Sequence, residues 1–404
     1  VLTDGSGRKV IAAPRAMLEM GWSGLLTGSV AVERVVLVDP TVDLVVDQDG
    51  ALDLNRMFPS ENDDSPPSDL PVRIEVWDAR IDGGSFSYNP GDGGQIWAAE
   101  ELSIQGLARG QATTWTVPEL SGAGLLSEPD TGPFIITGGL RYDLNGHLDL
   151  TQTRLEVAGA DLRVAGTMRS LTTEPVLALS LMLDGDLDAL EPLTGDLGLK
   201  GELRVLAQLD GPLDAMAVDG RLEQAVGGSA KIDAVLDVLD PEIGYEGSLD
   251  AQSFDLQDLL DAVTEATVLT GKASFSGTGL AYPDGIDATG EIKVTDSVGW
   301  GYPLPLVSTG FSFKEGQIRA SDLVYEAWWG RVTGRGRIGE TDLDLDIVAK
   351  VWDASGLQDF GADGLKGAAT LPASVQADWS VSDHVTTDLN GTLIGEGLGY
   401  QDYG

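Results

Sequence analysis

Residues 342–347 read Asp-Leu-Asp-Leu-Asp-Ile, an unbroken alternation of charged and apolar side chains. Successive side chains of a β-strand point to opposite faces, so this stretch predicts a strand with one apolar face and one wet face. The same period of two recurs in shorter runs, such as Leu-Asp-Leu at 148–150 and Leu-Arg-Val at 203–205. Such runs bury one side of a sheet and leave the other in water.

Asx-Gly dipeptides separate many of these runs, and we interpret them as tight turns. Asp and Asn tolerate positive φ and glycine adopts it without a steric penalty, as a two-residue hairpin turn requires. The pairs are Asp49-Gly50, Asp82-Gly83, Asn145-Gly146, Asp184-Gly185, Asp210-Gly211, Asp219-Gly220, Asp284-Gly285 and Asn390-Gly391. At the second pair, strands at 73–76 and 84–88 are expected to form a hairpin. The whole pattern predicts one long antiparallel meander.

The charge balance is strongly acidic, with 65 Asp and Glu residues against 25 Lys and Arg residues and a formal net charge of −40. Such a field repels phosphate backbones and anionic headgroups, which argues against nucleic acid as a partner and against docking on an anionic membrane surface. The absence of cysteine excludes disulfides, thiolate metal sites and cysteine nucleophiles. No run reaches the ~18 apolar residues of a membrane helix. Because the chain starts at Val1, we interpret it as a fragment of a longer protein.

Helical spacing interrupts the strand pattern at a few places. Pro14 at the start and Gly28 at the end of an apolar-periodic stretch predict a helix over 14–28, between strands at 8–13 and 29–38. Three further segments with helical spacing are Asp186–Leu193, Asp255–Val268 and Asp353–Phe360.

Prolines and acidic residues set the expected domain boundaries. The segment 59–71 has no periodicity and four prolines, so it is predicted to be a loop or linker. The chain is therefore divided into an N-terminal helix-plus-strands segment over 1–57, a linker over 58–71 and a repeated β-region over 72–404.

Residues suited to catalysis or metal binding are sparse. The histidines, His147 and His384, lie in no metal-ligand spacing, and His147 is expected to be exposed beside a turn. Asp342, Asp344 and Asp346 are expected to form the polar face of one strand, because no calcium-binding loop surrounds them. No nucleophile–base set is visible, so we predict that the protein is not an enzyme and has no cofactor or metal.

Gly330–Arg337 is the one basic patch, and its alternation predicts a strand with arginines on the wet side, where they could pair with acids. Trp328 and Trp329 precede it, and adjacent strand residues face opposite ways, so one tryptophan is expected inside and one outside.

A sheet of so many amphipathic strands has to close, fold over or pair with a second sheet. A membrane barrel would need aromatic girdles, which the scattered aromatic residues do not form, and a packed sandwich is normally complete within ~100–150 residues. We therefore predict a mainly-β fold: a long antiparallel meander curled into an open groove, with a few short helices. Its concave side would be apolar and its convex side acidic, and lipid acyl chains would fill the groove.

Several stretches resemble proteins of the AsmA/TamB family. Residues 24–55 contain Leu-Leu-x-Gly, then a strand, then Pro-x-Val and Asp-Gly before Leu-Asp-Leu-Asn, in the order of that family's N-terminal region. Residues 72–88 resemble its next recurrent phrase. Leu209–Leu213 with Val218–Leu222 resembles the Gly-Pro-Leu and Gly-x-Leu phrase of TamB-like repeats.

The resemblance implies a bacterial envelope protein, anchored in the inner membrane through a segment that this chain lacks. A groove of that family crosses the periplasm and carries phospholipid toward the outer membrane, or assists the assembly of outer-membrane proteins. Phospholipid acyl chains are then the expected ligand, and an outer-membrane protein is a further expected partner.

The leading functional hypothesis is a non-enzymatic conduit, in which acyl chains lie in an apolar trough while headgroups stay in water. Burying a methylene is worth ~0.8 kcal/mol, whereas moving a chain by one strand along a uniform trough changes little. The predicted lining residues are Val42, Leu44, Val46, Leu148, Leu150, Leu155, Val157, Leu203, Val205, Leu343, Leu345, Ile347, Trp379 and Val381. The alternative is a structural or interaction scaffold with a dry core, including an assembly factor that adds strands at its sheet edge.

Overall fold

The structure is a computed structural model that describes residues 1–3, 8–22, 29–46, 70–90, 96–143, 146–171, 174–194, 198–279, 285–339, 342–360, 365–378 and 386–400. Val1–Pro212 and Leu213–Gly404 form two compact units. Both are built almost entirely from β-strands. The mainly-β fold predicted from the alternation is confirmed, as an open, mixed sheet with almost no helix.

The first unit runs as an antiparallel meander from its sixth strand onward. Its strands are β1 Leu2–Thr3, β2 Lys9–Ala12, β3 Arg15–Gly21, β4 Ser29–Val38, β5 Thr41–Val45, β6 Leu70–Asn89, β7 Trp97–Ala112, β8 Thr114–Glu128, β9 Asp130–Asp143, β10 His147–Val157, β11 Ala160–Arg169, β12 Val176–Asp186 and β13 Glu202–Pro212. From β6 to β13, each strand pairs antiparallel with the next. A 3-10 helix over Asp188–Leu190 and helix α1 over Glu191–Thr194 follow β12, and α1 packs against β9.

The N-terminal part of this unit departs from a meander, because β4 and β5 both lie parallel to β6. Asp39 and Pro40 separate β4 from β5, as predicted. Opposite them, β6 runs on through Asp82-Gly83 with a shift of register, so the hairpin predicted at that pair is wrong. A Cβ at Gly83 would lie 2.6 Å from Asp39 Oδ1, and its φ is +71°. Glycine is therefore needed there for a bulge beside the break.

The helix predicted over 14–28 is wrong where the structure describes it. Residues Arg15–Gly21 form β3, which pairs antiparallel with β4 and places Met17 opposite Val36. Its apolar side chains are exposed, Leu18 at 62 %. Hydrogen bonds to the neighbouring strand decide this conformation over local helical spacing. Residues 23–28 lie outside the described part of the chain.

The second unit is also an antiparallel meander. Its strands are β14 Met216–Gln224, β15 Ser229–Asp237, β16 Gly244–Asp255, β17 Val268–Thr278, β18 Asp287–Gly299, β19 Tyr302–Lys314, β20 Gln317–Ala327, β21 Gly330–Ile338, β22 Asp342–Val351, β23 Leu365–Asp378, β24 Thr386–Gly391 and β25 Ile394–Tyr400. Consecutive strands pair antiparallel from β14 to β24, and β23 also pairs with β25. A 3-10 helix over Ala354–Phe360 follows β22.

Besides the turn predicted at Asp82-Gly83, three further predicted Asx-Gly turns are wrong, because the pairs lie inside strands. Asp184-Gly185 belongs to β12, Asp210-Gly211 to β13 and Asp219-Gly220 to β14. In each pair the aspartate is exposed and the glycine lies on the more buried face. A Cβ at Gly185 would lie 2.7 Å from the Ala160 Cβ, so a close neighbouring strand explains this glycine. Of the other pairs, Gly146 and Gly285 lie between strands and Asn390-Gly391 ends β24, whereas Asn145, Asp284 and the pair Asp49-Gly50 lie outside the described residues.

The predicted helical segments have mixed outcomes. The first is confirmed by the short helices over 188–194, and the third by the 3-10 helix over 354–360. The second is wrong: Asp255 ends β16, Val268 begins β17, and the connection between them consists of turns. Leu256 N donates to Thr267 O at 2.8 Å, which ties the two ends of the connection together and prevents a continuous helix.

The predicted division of the chain into 1–57, 58–71 and 72–404 stays a prediction. Residues 47–69 lie outside the described part, and 70–71 already belong to β6. The boundary between the compact units falls at 212/213, inside the predicted β-region.

Candidate apolar binding face

Strand β12 shows how the sequence divides its side chains between two faces. Its leucines at 177, 179, 181 and 183 are half-buried, whereas Val176 before them and Ala178 and Ser180 between them are exposed. None of the four leucines is fully buried. The face that should be the core of a packed sheet is therefore partly open.

Strand register aligns these leucines with apolar residues of the neighbouring strands. Direct partners across β9 to β13 form the row Ile136, Leu155, Leu162, Leu183 and Val205. Directly opposed residues share one face of a sheet and lie ~4.5–5.5 Å apart. The first unit thus carries a continuous apolar face across these five strands.

A bulge keeps β10 on that face along its whole length. Leu148 and Leu150 occupy even positions, and Leu155 and Val157 occupy odd positions, yet all four oppose residues of the same apolar face. The register shifts between Leu150 and Thr153, where Gln152 has a φ of +48°. An extra residue reverses the alternation, and here it restores the apolar residues to one side.

The equivalent face of the second unit alternates aromatic residues with glycine. One row of direct partners is Ala234, Gly247, Phe275, Gly290 and Phe311. A Cβ at Gly290 would lie 2.8 Å from Phe311 Cε1, so the phenyl ring occupies the space above the glycine. A ring that packs flat over a glycine adds only a thin apolar layer to the sheet. The face is therefore shallow and open.

Tyr245 lies on the same face at the edge of this row. Its ring packs against Phe275 with centroids 6.2 Å apart. Burial among apolar neighbours, together with the Asp287 charge, raises the pKa of the Tyr245 hydroxyl. The environment of this face is therefore apolar enough to disfavour a charge.

The predicted lining residues that the structure describes lie on strands, except Val46, which directly follows β5. Val157 and Leu203 are buried, and the others described are half-buried: Val42, Leu44, Val46, Leu148, Leu150, Leu155, Val205, Leu343, Leu345 and Ile347. Val42 opposes Phe86, which opposes Ala99, so β5 joins the same face as β6 and β7. Trp379 and Val381 lie outside the described residues. A role of these residues in binding stays a prediction.

Sequence reasoning missed the most regular part of the face. The leucines of β12 were not among the predicted lining residues, although a leucine at every second position from 177 to 183 was the available signal. The aromatic–glycine rows of the second unit were also missed, because a glycine in one strand acquires its meaning only from its partner in the next.

Burial across the described residues shows how open these faces are. Among the described residues, Leu203 is the one buried leucine and Phe254 the one buried phenylalanine. No isoleucine in this part of the chain is buried. Leucine, isoleucine and phenylalanine are among the residues most often fully buried in globular proteins. Among the described residues, strands make their extensive contacts with the strands to which they are hydrogen-bonded, and not with strands of a second layer.

One local cluster closes part of the face in the second unit. Ala230, Ala251 and Phe254 are buried together, and Leu256 and Leu259 from the connection after β16 pack against them. This connection follows the strand end and covers the apolar face there. Short helices pack against the strands elsewhere, α1 against β9 and the 3-10 helix over Ala354–Phe360 against β23.

Comparisons with known proteins identify no relative. No protein-family model matches the chain, and neither a curated protein nor a solved structure matches it. The described residues include no helix with the length and apolar character needed to cross a membrane. They also contain no group of three or more acidic or histidine side chains placed to hold a metal ion.

The opposite face of the first unit is polar and paired by charge. Arg154 Nε and a terminal nitrogen each donate to one Asp161 oxygen at 2.9 Å. Arg163 donates a 2.7 Å hydrogen bond to the same carboxylate. Hydrogen bonds from Arg163 and then Arg154 hold the pKa of Asp161 far below its usual 3.8. This network marks the outer side of β10 and β11.

The basic strand β21 is arranged as predicted, with its arginines on the wet side. Arg335 lies 3.9 Å from Asp346, Arg331 lies 3.8 Å from Glu326, and Arg337 pairs with Asp342. The aspartates of β22 therefore face arginines of the neighbouring strand, which confirms their place on a polar face.

His147 is part-exposed, and its Nε2 lies 2.8 Å from Asp149 Oδ1, while His384 lies outside the described residues. Trp328 is 62 % exposed and Trp329 6 % exposed, which confirms one tryptophan outside and one inside. Both lie in the turn between β20 and β21, not within a strand.

Proposed function

We propose that the apolar faces of the two units bind phospholipid acyl chains, and that the protein moves lipid without enzymatic chemistry. The supporting observation is the half-exposed state of the aligned apolar rows. These leucines are not covered by a second layer, and they lie side by side instead of singly. Together they form a long surface that water solvates poorly. An acyl chain is a ligand of matching length and chemistry.

The two faces of the sheet suit the two ends of a lipid. A bound acyl chain gains ~0.8 kcal/mol for each methylene that it buries on the leucine and aromatic rows. The outer face, with its ion pairs and excess acid, keeps the protein in water. A lipid therefore keeps its headgroup solvated at the open side while its chains lie on the apolar face.

The resemblance to the AsmA/TamB family extends the proposal to a cellular setting. In that setting the protein belongs to the bacterial envelope and acts in the periplasm, anchored in the inner membrane. Its apolar faces would pass phospholipid between the inner and outer membranes, with an outer-membrane protein as a further partner.

Native mass spectrometry with lipid extraction tests the central claim. The purified chain should carry phospholipid at several copies per protein after expression in a bacterium. A stable monomer that is free of lipid and does not bind added short-chain phosphatidylcholine would contradict the proposal.

A matched pair of variants on β22 distinguishes a loss of lipid contact from a general loss of stability. Leu345→Asp places a charge on the apolar face and should abolish most lipid binding, because a buried charge costs several kcal/mol. Val348→Asp makes the same chemical change on the opposite, exposed face of that strand. It should retain lipid, as measured by copurified phospholipid per folded protein. Equal lipid content in both variants, with both folded, would contradict a lining role.

Strand addition is a second candidate function that one observation favours. Strand β3 pairs on one side with β4, and the described residues supply no strand for its other side. Met17, Leu18 and Met20 on it are 46 %, 62 % and 53 % exposed. An exposed apolar edge can accept a strand from another protein. A lipid-free chain that binds unfolded outer-membrane protein would favour this role.

A further inference from the structure

One end of the second unit carries a row of exposed aromatic side chains. Trp300 is 63 % exposed, Trp328 62 %, Trp352 51 % and Tyr302 51 %. They lie just after β18, β20 and β22 or at the start of β19. Alternate strands of an antiparallel meander run in the same direction, so all these positions fall at one end of the sheet. We name Trp300, Tyr302, Trp328 and Trp352 the tryptophan rim.

The spacing of the rim follows from strand geometry. Neighbouring strands lie ~4.8 Å apart, so turns that are two strands apart lie about 10 Å from each other. The three tryptophans therefore extend about 20 Å along the sheet end. That length matches a surface, not a pocket for one small molecule.

Hydrogen bonds fix the backbone that presents these side chains. Trp300 N donates to Thr267 Oγ1 at 3.1 Å, and Thr267 is 1 % exposed. Trp352 Nε1 donates to Trp328 O at 2.6 Å. Trp352 N donates to Trp329 O at 3.0 Å. The rim is thus built on buried or mutually bonded positions, although its rings remain in solvent.

The local charge narrows the choice of partner. Segments 296–302, 326–331 and 350–353 hold three acids and two bases, in a chain with 65 acids and 25 bases. The bordering connection after β16 adds Asp258, Asp261 and Glu265. A nearly uncharged aromatic row with acids beside it suits a surface without net negative charge.

We propose that the tryptophan rim seats in the headgroup region of a zwitterionic phospholipid membrane. Tryptophan and tyrosine combine an apolar ring with a polar N–H or O–H, and they concentrate where hydrocarbon meets water. The end of the apolar face would then meet the lipid that it loads or delivers. This last step rests on the proposed function, whereas the seating itself does not.

Vesicle flotation of the whole chain with pure phosphatidylcholine vesicles tests the seating. The unsubstituted protein should float with the vesicles, and its tryptophan emission should shift to the blue. The double variant W300Q/W328Q should bind the vesicles at least roughly tenfold more weakly, because two indoles of ~150–250 Å² each leave the contact. Adding phosphatidylglycerol to the vesicles should weaken binding of the unsubstituted protein.

Leu239→Gln is the matched control, because this 63 % exposed leucine follows β15 at the opposite end of the same sheet. It should float like the unsubstituted protein. Failure of the unsubstituted protein to float, or an equal loss in both variants, would overturn the proposal.

Short-chain phosphatidylcholine below its micellar concentration separates this proposal from lipid carriage. W300Q/W328Q should still bind the monomeric lipid, since the leucine and aromatic rows are intact. Binding of monomeric lipid without flotation would overturn the rim and leave lipid carriage standing. Flotation without monomer binding would support the rim and count against lipid carriage.

Discussion

At the residue scale, glycine and aromatic partners determine how the apolar face is covered. Phe311 lies over Gly290, and the Trp115 ring lies similarly over Gly110, where a Cβ would be 2.9 Å from the ring. Such pairs pack an aromatic ring flat against a sheet. Gly290 and Gly110 are thus explained by their neighbours in the next strand.

Gly290→Val should therefore destabilise the second unit. The new side chain would collide with Ser274 O and push the Phe311 ring off the sheet. Overpacking of this kind costs about 1–3 kcal/mol in the free energy of unfolding, measured by urea denaturation. Glu291→Val on the exposed face of the same strand is the control and should change stability by less than about 0.5 kcal/mol. Equal effects would argue against the ring-over-glycine account.

A second residue-scale prediction concerns pH and the Asp161 network. Because the folded pKa of Asp161 is depressed below 3.8 by Arg163 and Arg154, its contribution to stability is present above that pH. It is lost as the pH falls below 3.8 toward the folded value. Asp161→Asn should lower the free energy of unfolding at pH 7, and the difference from the unsubstituted protein should shrink in acid.

Chemical denaturation across this pH range measures that difference. Asp210→Asn is the control, because Asp210 is an exposed aspartate on β13, opposite Ala178 and away from this network. It should alter stability little at any pH. A deficit of Asp161→Asn that stays constant into acid would contradict the ionic explanation.

At the element scale, connections matter as much as strands. The connection between β16 and β17 covers the apolar face with Leu256 and Leu259, and its Ala266 O accepts a 2.9 Å hydrogen bond from Gly301 N. One irregular segment thus links three strand ends and fixes the turn that presents Trp300.

Thr267→Val tests this element. Valine keeps the shape of threonine but removes the hydroxyl that accepts from Trp300 N and donates to Glu265 O. Leaving a buried N–H without its acceptor costs about 1–3 kcal/mol. Hydrogen exchange at Trp300 and Gly301 should accelerate, whereas Thr264→Val on the exposed part of the connection should leave it unchanged. Unaltered exchange in Thr267→Val would show that the connection does not hold the turn.

At the scale of the whole molecule, each unit has rows of apolar side chains that remain partly exposed on one face of its strands. A dye that fluoresces when its aromatic rings lie on an apolar surface, such as 8-anilinonaphthalene sulfonate, should therefore fluoresce with the folded protein, and phosphatidylcholine should displace it. Saturating short-chain phosphatidylcholine should also stabilise the fold by about 2.7 kcal/mol at a hundredfold excess over its Kd. A folded protein that neither binds the dye nor gains thermal stability from lipid would contradict open apolar faces.

The alternation in Asp342–Ile347 and in similar runs determined the fold class by itself, because period two is a local property of the extended chain. It also placed the arginines of β21 on the wet side and one of Trp328 and Trp329 inside, whereas the structure shows that Trp329 is the buried one. The sequence did not reveal that Arg15–Gly21 is a strand or that Asp184-Gly185 lies within one, since both depend on a partner strand distant in sequence. The tertiary structure decided the face of each residue as well: a bulge at Gln152 reverses the alternation of β10, and only pairing with β9 and β11 shows where that bulge lies.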